Sequence, residues 1–427
     1  MRSEILSRII YSAIFYLLTP IILLRLLYRA LKAPAYRKRW AERFGFPVYA
    51  ESTADFIWLH AVSVGETLAA VPLVKTLQEK YPQHRLMVTC MTPTGSERIK
   101  AAFGDSVDHS YMPYDTPDAV ARFLNRLKPK MLIIMETELW PNTIAACQSR
   151  DIPVILANGR LSARSAAAYQ SISSLVQPML SGISAVAAQH KDDGDRFIRL
   201  GLPPSALEVT GNIKFDLSLD RDVQDRAAVL SEQWHCGNNR PVFLAASTHR
   251  GEDEIILQAF GQIKQQVDNA LLVLVPRHPE RFNQVGELCT SAGFTLVKRS
   301  AGDKVEAADV LLGDTMGELM VFFGACDVAF VGGSLVATGG HNMIEPAAWG
   351  VPVLTGPHLF NFTEASQLLL AADGMLVCND AAELAEQCIS LMGNKGRRQE
   401  VGNAARLVAE ANRGALDKLM SVIDRFI

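Results

Sequence analysis

The sequence predicts an α/β protein of two Rossmann-like domains, each a doubly wound parallel sheet, preceded by an apolar helix. Three observations predict it. The chain has 427 residues, too many for one ordinary hydrophobic core. Both halves alternate short apolar runs with longer helical ones, the pattern of repeated βα units. The stretch from Val328 to Pro357 compresses that pattern into strand, glycine loop, helix and strand.

In that stretch Val328 to Val331 reads as a buried strand stopped by Gly332 and Gly333, with Gly339 and Gly340 further along the loop. Asn342 is placed to cap a helix that carries Glu345 and Pro346 in its first turns and ends at Gly350. A glycine loop entering a helix N-terminus offers N–H groups and a positive dipole end to an anion. A carboxylate just inside the helix, Glu345, suits the vicinal diol of a ribose. The pattern therefore points to a nucleotide, although glycine-rich βα turns also occur in α/β proteins without one.

Composition narrows the classes. Hydrophobic residues make up 49% and charged residues 20%, as in a folded protein, and the net charge of −3 excludes a strongly basic nucleic-acid binder. The seven cysteines are scattered without a C-x-x-C pair, which suggests free thiols in a reducing compartment.

Near the start, Ile9 to Leu24 is uncharged and mostly apolar, bounded by Arg8 and Arg25 and interrupted by Pro20. Arg25, Arg29, Lys32, Arg37, Lys38, Arg39 and Arg43 follow, with Glu42 the only acid among them. A basic cluster after the apolar run argues against a cleaved signal peptide. It argues for an anchor whose main body stays on the cytoplasmic side. A single-pass anchor is favoured over a helix lying in the interface.

In the first half, Phe56 to His60 is a strand, and Ser63, Gly65 and Glu66 occupy its turn into a helix. Ligands gather at strand C-terminal ends in such sheets, so Glu66 sits near the mouth of a crevice; the alternative is an acid that complements the helix dipole. Leu86 to Cys90 is a second strand, with Thr92, Thr94 and Ser96 in a turn that could meet a sugar or cap a helix. Met131 to Met135 is a third, followed directly by Glu136 and Glu138, which on an extended segment would face one side. Pro153 to Asn158 and Ser184 to Ala188 are further strands, with Arg160 and Arg164 beyond the first of them. Val209 to Ile213 reads as another, delivering Lys214.

In the second half, strands at Pro241 to Ala246, Leu271 to Val275 and Val310 to Leu312 precede the organising stretch. Arg277 and His278 follow the second of these, and arginine there suits a phosphate. His341 and Glu345 have an i,i+4 spacing, but no third ligand accompanies them and no metal site is expected. The tail from Ala381 onward has helical periodicity and is expected to return across the first domain.

Six segments in order carry a resemblance: H-A-V-S-V-G-E, E-T-E-L-W-P-N, G-N-I-K-F-D, P-R-H-P-E-R-F, G-D-T-M-G-E-L and G-G-H-N-M-I-E-P-A. Together they resemble 3-deoxy-D-manno-octulosonic acid (Kdo) transferases of Gram-negative bacteria, along nearly the whole chain. The resemblance implies a GT-B type glycosyltransferase, inverting and without an active-site metal or cofactor. Its donor would be CMP-Kdo and its acceptor the lipid A precursor lipid IVA, at the inner membrane and with no nucleic acid partner. It implies Glu66 as general base and Glu136 and Lys214 as transition-state stabilisers. It places CMP contacts on Arg277 and His278, on Met316, Gly317 and Glu318, and on Asn342, Met343, Ile344 and Glu345. The implied layout is an anchor with its basic flank at 1–32, an acceptor domain at 33–216, a CMP-Kdo domain at 217–395 and a returning helix at 396–427. The rival is a nucleotide-sugar 2-epimerase, which shares the two-domain plan and would lack the anchor.

Overall fold

The computed structural model describes residues 2–49, 54–217, 219–236, 240–302 and 304–427. The chain forms two compact units, Met1–Asp216 with Arg413–Ile427, and Leu217–Asn412. Each is a parallel seven-stranded sheet covered by helices.

In the first unit the strands are β1 (Phe56–His60), β2 (Arg85–Cys90), β3 (Asp108–Tyr111), β4 (Pro129–Met135), β5 (Val154–Gly159), β6 (Ala185–Ala188) and β7 (Leu207–Val209). Their spatial order is β3-β2-β1-β4-β5-β6-β7. The sequence order reverses beside β1, so the turns after β1 and β4 open at adjacent strand ends, where doubly wound sheets bind ligands. The central strands are buried on both faces, which is why they read as continuous apolar runs rather than alternating ones. Each fully buried Leu or Ile among them contributes about 1.5–3 kcal/mol.

The strand β3 has no apolar run, only D-H-S-Y. Polar pairing holds it instead: Arg85 grips Asp108, and the buried Glu42 carboxylate accepts from the Tyr111 N–H at 2.8 Å and the Ser110 hydroxyl at 3.2 Å. The reading of Val209 to Ile213 as a strand is corrected. Pairing stops at Val209, and Ile213–Phe215 is a 3-10 turn whose first N–H is taken by the Asn158 side chain.

In the second unit the strands are β8 (Val242–Thr248), β9 (Leu271–Pro276), β10 (Leu296–Lys298), β11 (Val310–Leu312), β12 (Val328–Val331), β13 (Val353–Thr355) and β14 (Met375–Val377), in the order β10-β11-β9-β8-β12-β13-β14. Here the reversal lies between β8 and β12, and the glycine loop follows β12. Gly332 must be glycine, because a Cβ would come within 2.6 Å of the Ser247 carbonyl oxygen on the neighbouring turn.

The expected return of the chain from residue 396 is also corrected. The helix Lys395–Ala411 belongs to the second unit, where Gly402 lies against the Gly350 backbone so closely that a Cβ would meet the Gly350 oxygen at 2.0 Å. Only the segment from Arg413 joins the first unit. Its helix Ala415–Ile423 buries Leu419, Val422 and Ile423 in the first core, and its start is held by Asp216, which accepts from the Gly414 and Leu416 N–H groups.

The apolar N-terminal run is one helix, Arg2–Lys32, continuous through Pro20. Residues Ile5–Leu31 are long and apolar enough to cross a membrane by length and composition. The basic cluster after it divides. Arg39 is turned inward onto Glu42, Ser96 and the His109 carbonyl, and Arg43 is buried over the Tyr111 ring; Arg25, Arg29, Arg37 and Lys38 remain exposed.

Candidate functional site

The first unit gathers carboxylates at the adjacent ends of β1 and β4. Ser63 caps the helix Val64–Lys80, its hydroxyl oxygen accepting from the Glu66 N–H at 3.2 Å. Glu66 reaches back: its carboxylate accepts from the Val62 N–H at 2.9 Å and from the Ser63 hydroxyl at 3.0 Å. This reciprocal arrangement is a capping box displaced by one residue, its backbone donor being Val62 rather than the N-cap Ser63, so the helix-cap reading of Glu66 is correct as far as it goes. It does not exhaust the side chain. Burial, aided by the Glu136 and Glu138 carboxylates, pushes the Glu66 carboxyl up to about 7 against the opposing pull of the two hydrogen bonds.

Glu136 follows β4 directly and is buried. Its φ of 57° places it in the left-handed region, so the chain turns there and Glu136 and Glu138 do not share an extended segment. The alternation argument for their shared direction is therefore corrected, though both lie within electrostatic reach of Glu66. Burial raises the Glu138 carboxyl as well.

Lys214 donates to the Glu136 carboxylate at 2.8 Å. Three amides place it. Asn212 accepts from the Lys214 N–H, Asn158 accepts from the Ile213 N–H, and Gln189 donates to the Asn158 carbonyl and accepts from Asn212. Asn158 and Gln189 lie outside the quoted segments, and Asn212 lies within G-N-I-K-F-D without a role assigned to it; the 55° φ of Asn158 at the end of β5 needs the fold to be seen. Ser96, a candidate sugar contact, instead serves Arg39 and His109.

The second unit assembles its site at the ends of β8, β9 and β12. His341 and His249 stack at 5.0 Å with their Nε2 atoms 2.7 Å apart, and the His278 ring stands edge-on to His249 at 5.4 Å. Burial and the neighbouring Arg277 hold His341 at about 3, so it is neutral at physiological pH. Burial also lowers His249. His341 thus faces another histidine rather than forming part of a ligand set with Glu345, and no group of three or more metal-ligating side chains occurs among the described residues.

The glycine loop itself differs from expectation. The N–H groups of Gly333, Ser334 and Leu335 are not open to an anion, because the buried Glu252 carboxylate accepts from all three at 2.7–2.9 Å and from the His249 N–H at 2.8 Å. The helix after the loop is only six residues, Ile344–Trp349; its N-cap is Met343 rather than the expected Asn342, which sits one residue earlier and accepts from the Ile344 N–H. Met343 and Ile344 have buried side chains, so their backbone is what they present. Glu345 accepts from the Asn342 amide at 3.1 Å, and burial pushes its carboxyl up to about 7 against the pull of Asn342 and Arg277.

After β11, Met316 is exposed and Gly317 takes a φ of +83°, an open turn. The Glu318 carboxylate is held by Arg299 at 2.8 Å and by the Thr315 hydroxyl, and the Arg299 hydrogen bond keeps its carboxyl below the usual range. Glu252 had no assigned role from sequence: it is the first residue of the helix Glu252–Gln266, and no local motif marks the N–H groups it serves.

The sequence profile of 3-Deoxy-D-manno-octulosonic-acid transferase (kdotransferase) matches residues 38–217. The 3-deoxy-D-manno-octulosonic acid transferase of Haemophilus influenzae is 45% identical over 425 residues, which cover 98% of this chain and 99% of that one. The enzyme of the same description from Bordetella pertussis is 36% identical over 381 residues, 87% of each chain. Among solved structures, the UDP-GlcNAc 2-epimerase from Neisseria meningitidis bound to UDP-GlcNAc matches with a TM-score of 0.57 at 14% identity, over 87% of this chain and 100% of that one. At that identity the likeness is one of fold, and it agrees with the GT-B type pair of Rossmann-like units. The identity to the transferases runs along nearly the whole chain and places the motifs quoted above within it, so this glycosyltransferase belongs to the 3-deoxy-D-manno-octulosonic acid transferase family.

Proposed function

We propose that the chain transfers Kdo from CMP-Kdo to lipid IVA, inverting the anomeric configuration without a metal ion or cofactor, at the cytoplasmic side of the inner membrane. The observation that carries the mechanism is the Glu66 carboxyl, held near 7 after the end of β1 within reach of Glu136, which pairs with Lys214. A sugar hydroxyl is a poor nucleophile at neutral pH. A carboxylate of this basicity can take its proton as it attacks the anomeric carbon, worth typically about 10²–10⁴-fold. Attack from the face opposite the phosphate gives inversion.

The departing CMP phosphate gains negative charge while the sugar passes through an oxocarbenium-like state. Arg277 is the candidate for the phosphate, and Lys214 for the Kdo carboxylate or that phosphate, each acting as a preorganised charge. Glu136 orients Lys214 through their ion pair and is the candidate either to position the acceptor or to stabilise the developing positive charge. The donor's ribose diol falls to Glu345, and its base to the backbone of the open turn at Met316, Gly317 and Glu318. His278, Asn342, Met343 and Ile344 complete the nucleotide contacts, the last two through main-chain atoms.

The test is transfer to tetra-acylated lipid A precursor with CMP-Kdo generated in situ and EDTA present, followed by mass spectrometry. Wild type and Glu66→Gln are run side by side. A gain of Kdo in wild type alone supports the reaction and the base together. Equal gain in both removes Glu66 as base. No gain in either refutes the substrate pair.

A further inference from the structure

The helix Arg2–Lys32 exposes an apolar face that an ordinary surface helix would bury. The side facing its own unit is mixed: Ser12 and Thr19 alternate with Phe15, Ile22, Leu26 and Ala30 along the covered stripe. The side facing away is apolar. Ile14, Leu17, Ile21, Leu24, Tyr28 and Leu31 recur at three- and four-residue intervals on the opposite face, and Leu17 is 77% exposed. A helix bathed in water would place these residues inward.

The first half of the helix is specifically attached to its unit. The Ser7 hydroxyl donates to the Ser174 hydroxyl at 3.0 Å, Ser12 and Asn142 hydrogen-bond at 3.0–3.2 Å, and the Tyr16 hydroxyl donates to Asp118 at 2.5 Å. The Phe15 ring meets Tyr114 at 6.4 Å. These contacts tie residues 7–16 to the folded body. Residues 17–31 would then be left to cross a bilayer, a length of about 22 Å at 1.5 Å per residue, against the roughly 30 Å of a hydrocarbon core. The helix cannot keep these contacts and span.

We propose that this helix is an interfacial anchor: it stays docked on its unit and buries its outward stripe in the headgroup–acyl boundary of an anionic bilayer. Charge favours this occupant over a second copy of the chain. Arg8, Arg25, Arg29, Arg37 and Lys38 are exposed along and just beyond the helix, where they suit anionic headgroups and would repel their own images across a dimer axis. Of the positions beside the stripe, Ala13, Leu18 and Leu27 are apolar and Arg25 is positive, with no acid among them to pair with it, whereas a coiled-coil seam sets opposite charges there. The inference replaces the single-pass anchor expected from hydropathy and does not depend on the choice of donor or acceptor.

Two experiments on the full chain, bound to vesicles of phosphatidylethanolamine with a minor share of phosphatidylglycerol, test it. In the first, a Ser7→Cys, Ser174→Cys double variant is treated with copper phenanthroline, with each single variant as control. A docked helix gives an intramolecular crosslink in the vesicle-bound protein of the double variant alone. A spanning helix would put Ser7 at the far leaflet, and vesicle-bound protein without the crosslink overturns the proposal. In the second, Leu17→Ser with Leu24→Ser lowers partitioning onto the vesicles by more than about tenfold while the melting temperature of the folded units stays put. Unchanged partitioning overturns the proposal, as does a dimer by sedimentation that the same double substitution dissolves while vesicle binding persists.

Discussion

Replacing Glu66 with Gln separates the cost of holding a carboxylate in this turn from its use in catalysis. The folded carboxyl sits near 7 rather than at its ordinary value of 4.5, chiefly through burial. The protonated form is therefore the one the fold favours. Stability from this group is fully present below the unfolded value and is lost as pH rises through about 7. By pH 8 the loss is at most about 3 kcal/mol, and at pH 5 it is about 1 kcal/mol. Glutamine removes the charge and with it that loss. Its amide keeps one oxygen for the Val62 N–H, and its NH₂ can donate to the Ser63 hydroxyl, so the capping box costs about 1 kcal/mol. Glu66→Gln should thus be the more stable protein at pH 8, by about 1–2 kcal/mol, and equal to or slightly weaker than wild type at pH 5. Urea unfolding followed by circular dichroism at the two pH values measures this, beside a fall in kcat of about 10²–10⁴-fold. A stability difference that is the same at both pH values would refute the perturbed carboxyl, and the base assignment with it.

Three other substitutions probe the remaining parts. Lys214→Met leaves the buried Glu136 without its cation and should cost the first unit about 3 kcal/mol in urea unfolding, whereas Lys214→Arg should cost clearly less. Glu252→Gln strips an acceptor from two of the four N–H groups it serves; a loss of about 3 kcal/mol is expected, with faster hydrogen exchange at residues 333–335. Glu345→Gln addresses the ribose: with a carboxyl near 7, CMP binding by calorimetry should tighten in wild type as pH rises from about 6 to 8, and the variant should flatten that dependence.

The legible parts of the sequence were those where one physical signal dominates. Strands buried on both faces, such as β4 and β9, are apolar end to end and declare themselves. The edge strands β10 and β14 have three residues each, too few for any period, and β3 is held by ionic and hydrogen-bond partners far along the chain. Glu66, Glu136 and Lys214 could be picked out because each follows a strand or turn signal. Asn158, Gln189 and Asn212 could not, because an amide acquires its role only from the backbone groups that the fold brings to it. The glycine loop misled in a specific way. Its glycines do make a concave set of N–H groups, but the chain supplies its own anion from Glu252, and local sequence cannot show that a donor is already taken. Hydropathy likewise reported that the first helix is apolar without reporting which face is already occupied.

Glu66 and Glu252 begin from the same device and end with different capacities. Each lies in the turn after the strand at which its sheet reverses, and each reaches back to an N–H three or four residues earlier. A carboxylate has about four lone-pair sites. Glu252 spends them on four backbone N–H groups, is fully buried, and so acts as a permanent internal anion that ties the turn after β8 to the loop after β12. Glu66 accepts from one N–H and one hydroxyl, remains partly open to solvent, and has carboxylates rather than donors as its other neighbours. The saturated carboxylate has no site left for an incoming proton; the half-saturated one has both a vacant lone pair and the raised basicity to use it. Helix capping and proton abstraction are therefore compatible in Glu66 because its cap is incomplete. A substitution that completes it, supplying a further donor to the carboxylate, should lower its basicity and slow transfer even though the glutamate itself is retained.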